Sequence, residues 1–234
     1  MKRRGSRRLR LWLLAGVLLA MAPMAAGAAP LGERRVLPNG VVLLVSERHS
    51  VPIVTVSLLL QAGAFLDPAD KGGTANLTAS LLMQGTATRT ATQIKDAIEF
   101  VGGSLSVRAG QEVTTVSLAV LSKDLDLGLD LLADVLLHPA FAPDEIERKR
   151  AQILAGIRRK HEDPGDLGAE AFDAAVFGSH PYGRPVDGDE STVPRIARED
   201  LVAFHDTYYR PNRVILAAVG DVDSADLARR VESR

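Results

Sequence analysis

The segment Ile53 to Gln61 sets the tightest constraint on the fold. Val54, Val56, Leu58 and Leu60 alternate with Thr55 and Ser57, so it reads as a strand with one buried face and one more polar face. That pattern belongs to an antiparallel sheet covered on one side. Its neighbours agree. Arg35 to Leu37 and Val41 to Ser46 flank Pro38-Asn39-Gly40, where Asn-Gly is expected to supply the positive φ angles of a tight hairpin. Further strands are expected at Ser104 to Arg108 and Glu112 to Leu121, and the continuous apolar run Val214 to Val219 suits a buried strand.

Helical signals fill the intervals. After a loop containing Asp67-Pro68 and Gly72-Gly73, Thr74 to Gln84 reads as a short apolar helix closed by Gly85. Thr90 and Gln93 form a capping box for a second helix, with Ile94, Ala97, Ile98 and Val101 on one face before Gly102-Gly103. Asp124 to Leu137 is a Leu-rich helix stopped by His138-Pro139. Pro143 opens a charged helix over Asp144 to Lys160, with Ile146, Ile153, Leu154 and Ile157 as its buried stripe. More helix is expected at Leu167 to Phe177, Glu199 to Tyr208 and Ser224 to Val231. The order implies an α+β fold, a mainly antiparallel sheet with helices against one face. No repeat, linker or low-complexity tract divides residues 29–234, which read as one domain.

The N-terminus differs from the rest. Lys2, Arg3, Arg4, Arg7, Arg8 and Arg10 precede the apolar run Leu11 to Met24, and Ala26-Gly27-Ala28 follows as a small-residue exit. This is the layout of a secretory signal peptide over residues 1–28. A transmembrane anchor is the competing reading, but the run falls short of the ~20 apolar residues a bilayer needs, and Pro23 interrupts it. Arg7-Arg8 after Ser6 resembles a twin-arginine signal, although Arg10 stands where such signals usually carry an apolar residue. The expected destination is the periplasm or the exterior, with no stable membrane anchor after cleavage.

Charge then excludes whole classes of function. The full chain of 234 residues carries 28 Lys and Arg against 29 Asp and Glu. Without residues 1–28, which hold six basic and no acidic residues, 22 basic and 29 acidic residues remain, a net charge of −7. A domain this acidic is a poor partner for nucleic acid or anionic lipid. The absence of cysteine removes disulfides, thiol nucleophiles and cysteine zinc sites.

Chemistry must come from the remaining side chains. His49, His138, His161, His180 and His205 include no pair at helical i, i+4 spacing. Lys71-Gly72-Gly73-Thr74 has neither the spacing nor the order of a phosphate loop, and Gly102-Gly103-Ser104-Leu105-Ser106 is not a nucleophile elbow. Asn76-Leu77-Thr78 is formally a glycosylation sequon, but it lies in an expected helix.

Several motifs nonetheless agree in order and spacing. Leu37-Pro38-Asn39-Gly40, Ala62-Gly63-Ala64, Gly73-Thr74-Ala75 and Gly85-Thr86 stand in the N-terminal half. His180-Pro181-Tyr182-Gly183-Arg184-Pro185 with Gly188, Tyr208-Tyr209-Arg210-Pro211-Asn212-Arg213 and Gly220-Asp221-Val222 follow. Across residues 34–223 the sequence resembles the M16 metallopeptidases, the pitrilysin, insulinase and mitochondrial processing peptidase family. Active members carry H-x-x-E-H on the helix that starts at the position of Gly73, two imidazoles holding zinc and a glutamate polarising water. By this resemblance those positions are Asn76, Ala79 and Ser80. The third ligand falls on Gly156 and an accessory glutamate on Lys149, so the resemblance implies loss of the zinc site, with no catalytic residue and no metal in this chain.

The bland reading of Asn76 and Ser80 is that they are hydrogen-bonded helix residues. Gly156 is expected to mark close packing or a vacated ligand position, and Lys149 a solvated lysine or a partial substitute for the missing cation. His180, Tyr182 and Arg184 are expected in a structural turn that can touch substrate. Degenerate family members pair with a catalytic chain, so the resemblance implies a non-catalytic subunit that helps close a chamber and hold extended peptides. Its partner would carry H-x-x-E-H and the zinc. A stand-alone peptide-binding or scaffold pseudoenzyme is the alternative, and an active zinc metalloendopeptidase the third reading. Family subunits usually have two similar domains; this chain supplies the first and stops in a helix after Gly220-Asp221, as a truncated chain would.

Overall fold

The computed structural model describes residues 32–234, so the export segment read at residues 1–28 lies outside the described residues. Within them, no helix is long and apolar enough to cross a membrane. Six strands form one sheet: β1 (Glu33–Val36), β2 (Val42–Glu47), β3 (Ile53–Leu60), β4 (Ser104–Ala109), β5 (Thr114–Leu121) and β6 (Val214–Gly220). Their spatial order is β1-β2-β6-β3-β5-β4, antiparallel throughout except for the parallel pair β2 and β6.

The period-2 pattern explains which face is covered. Leu43, Leu216, Leu58 and Val116 align across four strands and are all buried. The neighbouring row on the opposite face is Leu44, Ala217, Ser57, Ser117 and Ser106, and none of it is buried. The apolar run Val214 to Val219 is therefore buried only in part. β6 is paired on both edges, yet one of its faces is open, and Val219 is 49% exposed.

Seven α-helices complete the described fold: α1 (Thr74–Leu81), α2 (Ala91–Phe100), α3 (Leu125–Leu137), α4 (Pro143–His161), α5 (Pro164–Phe177), α6 (Arg198–Tyr208) and α7 (Ser224–Glu232). α1 is apolar because it is enclosed: Ala75, Leu77, Thr78, Ala79 and Leu81 are buried, and the chain tightens into a 3-10 turn at Leu82–Gln84 before Gly85. The capping box of Thr90 and Gln93 opens α2, which buries Ile94 and Ile98. α4 buries Ile146 and Ile157, with Ile153 packed partly on the core. The Gly85-Thr86 turn is pinned to α3 by Asp134, which accepts from Thr86 Oγ1 at 2.9 Å and pairs with Arg89.

The first hairpin departs from the expected form. Gly40 has φ 92°, but Phe141 is the only described non-glycine residue with positive φ, so Asn39 does not share that conformation. Gly40 N–H donates to the Leu37 carbonyl at 2.9 Å, and Asn39 Oδ1 accepts from Val41 N–H at 3.1 Å. Pro38 favours a turn with ordinary negative φ values, which leaves the left-handed position to the glycine as a bulge.

Candidate functional site

α1 begins at a close crossing of two backbones. Gly73 has φ 94°, and a Cβ there would lie 2.7 Å from the Asp187 carbonyl oxygen; one on Gly188 would lie 2.3 Å from that of Gly72. Only glycine permits both the conformation and the approach. The helix has no side-chain cap from its own N-cap residue. Instead Asp67, buried in the preceding loop, accepts the N–H groups of Gly73 and Ala75, each at 2.8 Å. Burial pushes the Asp67 carboxyl up to about 6, against the pull of those N–H groups and of the Arg184 guanidinium.

The helix then presents the positions that hold zinc ligands in active chains of the resembled family. Asn76 Nδ2 donates to Asp187 Oδ1 at 3.2 Å, and the other oxygen of Asp187 takes Lys160 from α4. Ser80 Oγ donates back to the Leu77 carbonyl at 2.9 Å. Ala79 is buried and has no polar side-chain atom. Burial, with Arg148 beside it, lowers the Lys149 ammonium below the usual lysine range, only partly countered by Glu145.

Gly156 is not closely packed. A Cβ built on it meets nothing nearer than Arg159 Nη2 at 4.0 Å, which corrects the expectation of close packing at this position. An amide, a methyl group, a hydroxyl, an ammonium and a hydrogen atom thus occupy the five positions. They include no imidazole or carboxylate donor and do not fit zinc. Among the described residues, no group of three or more His, Asp or Glu side chains could hold a metal ion.

Three of the five positions come together. Ala79, Ser80 and Lys149 line an open groove of about 770 Å³, whose far wall is α2 and whose floor includes Ser104 to Val107 of β4. β4 is the last strand of the sheet, and no described strand pairs with its outer edge. Asn76 and Gly156 do not line this groove.

His180, Tyr182 and Arg184 lie elsewhere, in a tied turn. The Tyr182 N–H donates to His180 Nδ1 at 3.2 Å, Gln111 holds the Pro181 carbonyl at 2.9 Å, and the Tyr182 hydroxyl donates to Glu112. Phe65 and Phe177 pack their rings against both His180 and Tyr182. Arg184 Nη2 donates to the Asp67 carbonyl at 3.4 Å, which joins this turn to the start of α1. Asp67 itself has no obvious sequence signal, because a cap delivered across a loop lacks the local spacing of a capping box.

Comparison with known proteins adds to this geometry. A family model described as Insulinase (Peptidase family M16) matches residues 42–190, and one described as Peptidase M16 inactive domain matches residues 195–233. A protein of Mycobacterium leprae named an uncharacterized zinc protease is 36% identical over 198 residues, 85% of this chain and 44% of its own length. One of the same description from Mycobacterium tuberculosis H37Rv is 37% identical over 210 residues, 90% of this chain and 48% of its own length. The chain spans about half the length of the curated relatives it matches. The crystal structure of a peptidase M16 inactive domain from Pseudomonas fluorescens aligns with TM-score 0.83 and 28% identity, covering 86% of this chain and 49% of that one. A Helicobacter pylori protease aligns with TM-score 0.82 at 22% identity, covering 88% and 50%, a likeness of fold alone.

Proposed function

The chain belongs to the M16 peptidase family, and we propose that it is a non-catalytic subunit of an exported zinc protease of that family. In this reading it helps form the chamber and holds extended peptides for a catalytic partner. The observation that carries the reading is the chemistry at the ligand positions. Asn76 holds Asp187, Ser80 is turned onto its own helix, and an ammonium, Lys149, stands at the accessory carboxylate position. No nucleophile, general base or metal ligand remains there to activate water. Zinc is assigned to the partner, which would carry the intact H-x-x-E-H helix.

What this chain's own residues can do is bind. The outer edge of β4 offers unpaired N–H and C=O groups along the groove, and an extended peptide can pair with such an edge as an added strand. The side chains of that peptide would point alternately into the groove and away from it. Export follows from residues 1–28, and the acidic remainder argues against nucleic acid as the bound polymer.

The test is reconstitution in the periplasm-free, purified state. The full-length protein, given zinc and unstructured peptides, should cleave nothing alone and should raise hydrolysis when added to a co-encoded M16 chain with an intact motif. Zinc-dependent, chelator-sensitive cleavage by this protein alone would overturn the reading.

A further inference from the structure

We infer that the groove between α1, α2, α4 and β4 selects extended peptides that carry a carboxylate, and that Lys149 receives it. The inference rests on the reading of this groove as a peptide-holding surface and names what that surface prefers.

Lys149 differs from Arg148, Arg150, Arg158 and Lys160 on α4, and unlike the exposed Arg159, equally unpaired among the described residues, it lines the groove. Arg148 binds Glu145 and Gln84; Arg150 binds Glu147 and the carbonyls of Val193 and Ile196; Arg158 binds Glu190; Lys160 binds Asp187. Lys149 has no hydrogen bond or ion pair among the described residues, although it is half-buried and lines the groove. Glu145, one turn earlier, is the carboxylate placed to neutralise it, but Arg148 Nε holds that group at 2.9 Å. A partly desolvated ammonium left without an anion gains from a ligand that brings one, because a charge-assisted hydrogen bond is roughly twice as strong as a neutral one.

The opposite wall fixes where the carboxylate can lie. On α2, Glu99 is paired with Lys95 at 3.8 Å, whereas Asp96 faces the groove with no basic partner in ion-pair range. The groove is therefore positive at α4 and negative at α2, so an acidic group is repelled from one wall and received at the other. With the peptide backbone running along the edge of β4, its carboxylate can be an acidic side chain or the C-terminal group. Both present the same chemistry to Lys149.

The experiment measures binding of fluorescent octapeptides to the full-length protein by anisotropy. One peptide has a single Glu and an amidated C-terminus, one has Gln and a free C-terminus, and one has Gln and an amidated C-terminus. At least one carboxylate peptide should bind about tenfold more tightly than the neutral one, and the arm that does so identifies the source. Lys149→Met should abolish that preference, and Lys149→Glu should reverse it toward a Lys-bearing peptide. Equal binding of all three peptides, or a preference that survives Lys149→Met in protein with unchanged thermal unfolding, would overturn the inference alone. Failure of every peptide to bind would overturn the peptide-holding reading, and this inference with it.

Discussion

The two ends of α1 use polar chemistry in opposite ways. At its N-terminal end the carboxylates are partnered: Asp67 caps Gly73 and Ala75, and Asp187 joins Asn76 to Lys160. At its C-terminal end Ser80 turns inward and the adjoining Lys149 has no anion. The first arrangement fixes the helix against the Asp187-Gly188 crossing. The second leaves a charge available in an open groove. At the first end partnered polar groups hold the structure, and at the second the unpaired Lys149 in the groove marks a place where a ligand can add something.

Substitutions should separate the two ends by size of effect. Asp67→Ala removes the acceptor of two buried N–H groups and should cost roughly 4 kcal/mol in urea unfolding. The pH dependence of the same group gives the next largest effect. Its folded value of about 6 exceeds the ordinary carboxylate value, so the folded state holds the proton more tightly than the unfolded one. Wild-type stability should therefore fall as pH rises from about 4 toward 6, by up to about 3 kcal/mol relative to Asp67→Asn. Unfolding curves of both proteins across that range check the sign, which would reverse for a carboxylate held below its ordinary value.

Smaller changes probe what is left of the old ligand positions. Asn76→Ala breaks the bond to Asp187 and should destabilise by about 1 kcal/mol. Gly156→Ala should stabilise α4 by up to about 1 kcal/mol, read as a higher thermal midpoint, since a Cβ there meets open space. Lys149→Met should change stability by less than about 0.5 kcal/mol, because no protein partner is lost. A large loss there would erase the contrast between the two ends.

Periodicity made most of the fold legible. The alternation in β3, the capping box of α2 and the proline that opens α4 each mark an element by a local physical rule, and each element formed close to its expected bounds. The insertion of β6 between β2 and β3 has no such local signal, because pairing partners far apart in sequence are chosen by packing. The same limit hid Asp67, whose capping of α1 reaches across six residues to Gly73 and depends on the loop that buries it. The Asn-Gly pattern points to positive φ at Asn39, but Pro38, whose ring favours a different turn, leaves that conformation to Gly40 alone. At the candidate site Asn76, Ala79, Ser80, Lys149 and Gly156 are assigned by the resemblance to the M16 family, not by a local rule of spacing. The partners of Asn76 and the open space beside Gly156 could not be read from the sequence, since both are set by residues on other elements.

The positions on α1 and α4 that correspond to zinc ligands in active family members hold groups that do not fit zinc. Calorimetric titration of zinc into the metal-stripped full-length protein tests this most directly. No saturable binding is expected at micromolar zinc. One equivalent bound tightly, and lost on substitution of Asn76 and Ser80 by alanine, would contradict it.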